Sequence, residues 1–177
     1  MNLSRIGVPL GALALAVIAT PANAVTSPRL VGTWNGNYKV TVVTGGTHDR
    51  LGATGTTKFA FTPQCATGGC VTKDVRTRIS GHPAQATPAL LTPSGATYTG
   101  STTYLSGCFF GNGTVFEKGQ KTAERTTINV TATNAQHVAT AWTGTLKLTF
   151  TPTAAGSAAG CLPGGETLAL KSGTRIS

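Results

Sequence analysis

The chain predicts an all-β protein, most simply an antiparallel up-and-down barrel of about eight to ten strands. Three observations predict it. Apolar residues recur at every second position. Nearly the same strand is written more than once. Turn residues also break the chain at short intervals, at Gly45-Gly46, Gly68-Gly69, Gly81-His82-Pro83, Pro93-Ser94-Gly95, Gly111-Asn112-Gly113 and Pro163-Gly164-Gly165. A two-sheet sandwich answers the same pattern. A meander of similar strands closes easily, however, and closure removes exposed edges, which favours the barrel.

Residues 1–24 read as an export signal that is cleaved. Arg5 opens it, Ile6 to Ala19 is an apolar run, and Pro21 breaks that run before the small-residue site Ala22-Asn23-Ala24. The run holds 14 residues, short of the roughly 20 that span a bilayer. No cysteine follows directly, which argues against a lipid anchor. Residues 25–177 are then one all-β domain, expected to work outside the cytoplasm at the cell envelope or beyond it.

Strand by strand, Trp34, Tyr38, Val40 and Val42 alternate with Thr33, Asn35, Asn37, Lys39 and Thr41. Val71, Val75 and Ile79 alternate with Thr72, Asp74, Arg76 and Arg78. Ile128, Val130 and Ala132 alternate with Asn129, Thr131 and Thr133. Val138, Trp142, Leu146, Leu148 and Phe150 alternate with Thr143, Thr145, Lys147 and Thr149. Each run reads as a strand with a buried apolar face and a wet polar one. Residues 54–63 and 143–152 are identical at seven of ten positions, and 99–104 echoes them more weakly. Thr153 to Gly160 reads as a loop.

The cysteines, Cys65, Cys70, Cys108 and Cys161, are even in number in a chain expected to be exported, which reads as two disulfides. Three pairings are open. Cys65–Cys70 and Cys108–Cys161 are favoured, because the strands beginning at 54, 99 and 143 each lead to a cysteine-bearing turn. If those strands run the same way, the turns gather at one end. Chain entropy assigns roughly 2 kcal/mol to the short loop and roughly 4 kcal/mol to the long one. No C-x-x-C pair with matching histidines supports a zinc site.

After residue 24, thirteen basic residues face five acidic ones, a net charge of +8. Such a balance suits an anionic partner, which outside a cell means wall polymers, acidic glycans, head groups or acidic proteins. The same charge also keeps an exported protein soluble. Nucleic acid is disfavoured, since there is no compact Lys/Arg run and few aromatics to stack bases. Lys39, Lys58 and Lys147 fall at equivalent places in the repeated strands, and Arg76 and Arg78 fall on the polar face of another. Neighbouring strands of this kind make an outer positive stripe, although surface lysine also serves simply to block edge pairing.

Catalytic signals are thin. No G-x-S-x-G elbow occurs, His48 and Asp49 sit in a Gly-flanked turn, and nothing makes two carboxylates converge. The chain reads as no enzyme, with no cofactor and no metal. Phe109-Phe110 reads as one buried and one half-exposed ring, or as a pair projecting from the barrel rim.

Leu30-Val31-Gly32-Thr33-Trp34 resembles the G-x-W opening of calycin barrels, the group of lipocalins, fatty-acid-binding proteins and avidins. The resemblance implies a barrel in which Gly32 and Trp34 close the narrow end. Ala141-Trp142-Thr143-Gly144 is similar to an avidin strand. With its signal sequence, four cysteines and T-G-x-x-x-Φ strands, the chain also looks like small secreted β-barrel proteins of high-GC Gram-positive bacteria, a likeness that bears on location and barrel.

The leading expectation is a secreted, disulfide-braced, non-catalytic barrel whose basic outer face engages anionic surface polymers. A calycin-like carrier of a small apolar ligand is the second, with Gly36, Gly55, Gly100 and Gly144 leaving room inside. A secreted hydrolase inhibitor using the Cys65–Cys70 loop is the third.

Overall fold

The computed structural model describes residues 26–47, 49–78 and 87–177. Residues 1–24, expected to be an export signal with its cleavage site, lie outside the described residues, as do His48, Ile79 and His82. Eight strands follow in order: β1 (Gly32–Gly45), β2 (Thr54–Pro63), β3 (Thr72–Arg78), β4 (Thr87–Ser94), β5 (Thr97–Phe109), β6 (Val115–Thr133), β7 (Ala139–Pro152) and β8 (Gly164–Arg175). A single helical turn, α1 (Ala154–Ala158), joins β7 to β8. Each strand pairs antiparallel with the next, and β8 returns to β1, so the sheet is a closed up-and-down barrel. That decides between barrel and sandwich.

The stretch read as a loop at Thr153 to Gly160 therefore contains α1. Thr153 caps it, its hydroxyl accepting from the Gly156 N–H at 3.0 Å. Gly156 packs so closely on β6 that a Cβ there would lie 1.9 Å from the Gly119 carbonyl oxygen.

Period-two alternation places Trp34, Val40, Phe59, Phe61, Tyr98, Ile128, Trp142, Leu148, Phe150, Leu168 and Leu170 in the core. Each such large side chain contributes about 1.5–3 kcal/mol by leaving water. Two bulges change the reading locally. The ladder slips between Val40 and Val42, which turns Val42 outward and brings Val43 against the core. A slip after Val130 leaves Ala132 exposed, although parity had put it inside.

One end of the barrel is filled by aromatic rings. Trp142 meets Trp34, Phe59 and Phe61 edge-on, with centroids 6.3, 5.0 and 5.7 Å away. Trp34 is 1% exposed, its indole N–H donates to the Val31 carbonyl at 3.1 Å, and the Arg175 guanidinium lies 5.7 Å from its ring centre. Residues 26–31 run across this end. Leu30 is fully buried, Arg29 bridges to Val138, and the Tyr98 hydroxyl donates to the Pro28 carbonyl.

The two disulfides are Cys65–Cys70 and Cys108–Cys161. The geometry behind that pairing needs one correction. In a meander β5 and β7 run the same way, but β2 runs against them. Cys108 and Cys161 therefore meet at the end opposite the aromatic plug, while the β2–β3 turn holding Cys65 lies at the plug end. The near-identical decapeptides on β2 and β7 likewise point in opposite directions. Phe61 thus joins the plug and Phe150 fills the far end.

Candidate functional site

Charge is sorted between the two faces of the barrel wall. Of the five carboxylates in the chain, Asp74, Glu124 and Glu166 are buried. Glu117 lies near the start of β6 and Asp49 in the β1–β2 connection. The lysines go the other way.

Lys39, Lys58 and Lys147 are all exposed on the outer face. Lys39 stands opposite Thr54 of β2 and Ala169 of β8, and Lys58 stands opposite Asn35. Lys147 is two strands from β1, separated from it by β8. Lys171 of β8 fills that interval, paired with Asn37 on one side and Thr143 on the other. On β6, Arg125 lies directly opposite Lys147, and Lys121 is exposed one repeat further along. Between them stand Thr143, Thr145 and Thr149, all exposed. Sequence reasoning missed Lys121, Arg125 and Lys171. The signal that finds them is outward parity, available once β8 and the first half of β6 are recognised as strands.

Arg76 is the clear correction to the outer stripe. It is 5% exposed and points into the barrel, as do Thr72 and Asp74, while Val71 is exposed and Val75 half-buried. Paired residues on antiparallel strands share a face. Thr72, Asp74 and Arg76 oppose Pro63, Phe61 and Phe59 of β2, and Thr72 and Asp74 also oppose Leu91 and Ala89 of β4. Those large apolar neighbours face the core, so β3 turns its polar side inward. Arg78 ends the strand opposite Thr57.

The inward charges meet one another. The Arg76 guanidinium sits 2.9 Å through Nε from Asp74 Oδ2 and pairs through Nη2 with Glu124 Oε1. Thr126 donates to the same Glu124 oxygen at 3.3 Å. Close by, the Ser106 and Thr122 hydroxyls share a 2.6 Å hydrogen bond. Burial pushes the Asp74 carboxyl up to about 6, although the Arg76 charge beside it pulls the other way. Two carboxylates thus do converge, on one guanidinium, which no sequence spacing indicated.

The small residues that were to leave room inside leave none at their own positions. A Cβ on Gly36 would meet the Phe59 ring at 2.5 Å, and one on Gly55 would meet the Tyr38 ring at 2.6 Å. Leu91 and the Leu90 backbone crowd Gly100, and Ile128 with the Thr127 backbone crowds Gly144.

At the far end, Phe109 and Phe110 are both half-buried. They line a cleft of about 180 Å³ with the Cys108–Cys161 disulfide and Leu162. His137 is exposed, with its Nε2 2.8 Å from the Thr26 carbonyl oxygen. Among the described residues no group of three His, Cys, Asp or Glu side chains is placed to hold a metal, and no helix is long and apolar enough to cross a membrane. No protein-family model, curated protein or solved structure matches the chain.

Proposed function

We propose that this barrel is an exported, non-catalytic binding protein whose outer face attaches to anionic polymers of the cell surface or its surroundings. The observation that carries the reading is the segregation of charge. Asp74, Glu124 and Glu166 turn into the barrel with a single base, Arg76, while Lys39, Lys58, Lys121, Arg125, Lys147 and Lys171 face outward on β1, β2, β6, β7 and β8. Arg125 and Lys147 form a like-charged cross-strand pair. Such a pair destabilises a sheet, and an anion laid across it removes the penalty. Exposed threonine hydroxyls between the cations supply donors to phosphate, sulfate or carboxylate oxygens. The two disulfides support an oxidising location.

The test is charge reversal at Lys39, Lys58 and Lys147. All three side chains are exposed, so the fold tolerates the change. Co-sedimentation of the triple Lys→Glu variant with a bacterial wall fraction falls about tenfold or more relative to the unaltered protein. Equal binding by the two proteins contradicts the reading.

A further inference from the structure

The two ends of the barrel differ in charge. Arg29 and Arg175 lie at the plug end. The far end, where β1, β5 and β7 finish, is built from residues 40–47, 105–116 and 148–165, none of which is Asp, Glu, Lys or Arg. These three stretches meet. The Gly46 N–H donates to the Pro163 carbonyl at 2.9 Å, the Cys108–Cys161 disulfide ties the second stretch to the third, and Gly46, Phe110 and Leu162 line one cleft.

The surface they make is apolar. Leu162 is 64% exposed and Val115 37%, the Phe109 and Phe110 rings are only half-buried, and α1 turns Ala154, Ala155 and Ala158 to solvent. The cleft between them, at about 180 Å³, falls short of the roughly 300 Å³ at which small-molecule pockets begin. The far end is therefore a cap and not a pocket.

Cations gather behind this cap. Arg50 in the β1–β2 connection and Lys118 near the start of β6 are exposed. Lys121 stands opposite Thr151, one residue from the end of β7. Asp49 and Glu117 are the acids at this level. Further along the wall, Lys39, Arg125 and Lys147 face outward with no acid among them, because Glu124 and Glu166 are buried. Lys147 is about 13 Å along the strand from Thr151, which strand tilt shortens to about 10 Å along the barrel axis. That is about one Debye length at 0.1 M salt.

We propose that the far end docks on a lipid bilayer with anionic headgroups, Phe110 and Leu162 entering the acyl boundary and Arg50, Lys118 and Lys121 lying among the phosphates. A bilayer takes the apolar cap out of water and sets the cations behind it against negative charge. A second copy docked cap to cap also covers the apolar surface, but it brings two collars of like charge together. The cap is distinct from the lysines assigned to polymer attachment on the barrel wall, and neither reading needs the other.

The experiment is co-sedimentation of the exported protein with phosphatidylcholine vesicles containing about one-third phosphatidylglycerol. Saturable binding is expected, at least about tenfold stronger than to phosphatidylcholine alone. Leu162→Asp, at an exposed loop position that tolerates the change, cuts vesicle binding about tenfold or more and leaves near-ultraviolet circular dichroism unaltered. The same variant binds the wall fraction as the unaltered protein does, so the two readings fail separately. The indole introduced by Leu162→Trp is quenched by lipids brominated along the acyl chain, whereas Trp34 and Trp142, at the opposite end, are not. Absent vesicle binding, undiminished binding by Leu162→Asp, or no quenching in Leu162→Trp overturns the proposal. A dimer that Leu162→Asp dissolves, formed by a protein that ignores vesicles, overturns it in favour of a second copy.

Discussion

Asp74 is an acid placed where apolar alternation leads one to expect a wet surface, and its titration follows from that placement. Its carboxyl stands at about 6 in the folded chain against an ordinary 3.8. The folded state therefore holds this proton more tightly than the unfolded chain does. The stability it confers is complete below the unfolded value and is lost as pH rises through the folded one. A shift of this size corresponds to about 3 kcal/mol. Thermal denaturation is thus expected to show a loss of that order between pH 4 and pH 6.5, and Asp74→Asn flattens the loss. Parallel pH profiles for the two proteins contradict the assignment. Glu124 belongs to the same unit, because Arg76 holds both carboxylates. None of this is written in the local sequence around residue 74, since the partner Glu124 lies three strands away in a closed sheet.

The strands with long apolar alternation, β1 and β7, were legible because Trp34, Val40, Trp142, Leu148 and Phe150 all obey one parity. β3 was not. Its valines suggest an inward face, yet the face is chosen by Phe59 and Phe61 across the ladder, which outweigh two valines in buried area. Alternation within one strand reports that two faces differ; which face turns inward is set by the partner strands. Bulges at Val40 and Val130 were equally invisible, because one extra residue flips parity without marking its place. The disulfide at the far end illustrates the opposite case, a pairing predicted correctly through strand direction even though β2 runs against the other two. Cys108–Cys161 closes a separation of 53 residues, so replacing both by serine lowers stability by about 4 kcal/mol in the chain-entropy model. Cys65–Cys70 spans only 5 residues and its removal costs about half as much. Denaturant titration of the two double-serine variants distinguishes them. Equal losses, or a larger one for Cys65–Cys70, contradict this ordering of the bonds.

Among the described residues, the barrel wall encloses three acids with one base, Arg76, and leaves every lysine outside. Composition shows only that bases outnumber acids. Closure of the sheet adds that three of the acids are hidden, which makes the outer surface more basic than the net charge of the chain. Lys39, Lys58 and Lys147 were recognisable as outward residues from the repeats. Lys171 joins them when β8 is seen to lie between β1 and β7, and Arg125 when β6 is seen to pair with β7. The surface that results is a sheet of lysine, arginine and threonine, and electrostatic attachment by such a surface carries a salt signature. The most direct measurement is therefore the binding of the unaltered protein to a bacterial wall fraction as ionic strength rises from about 0.01 M to about 1 M, over which the Debye length shrinks from about 30 Å to about 3 Å. The account predicts a steep, continuous loss of binding over that range. Binding that is absent at low salt, or that persists unchanged at high salt, contradicts it.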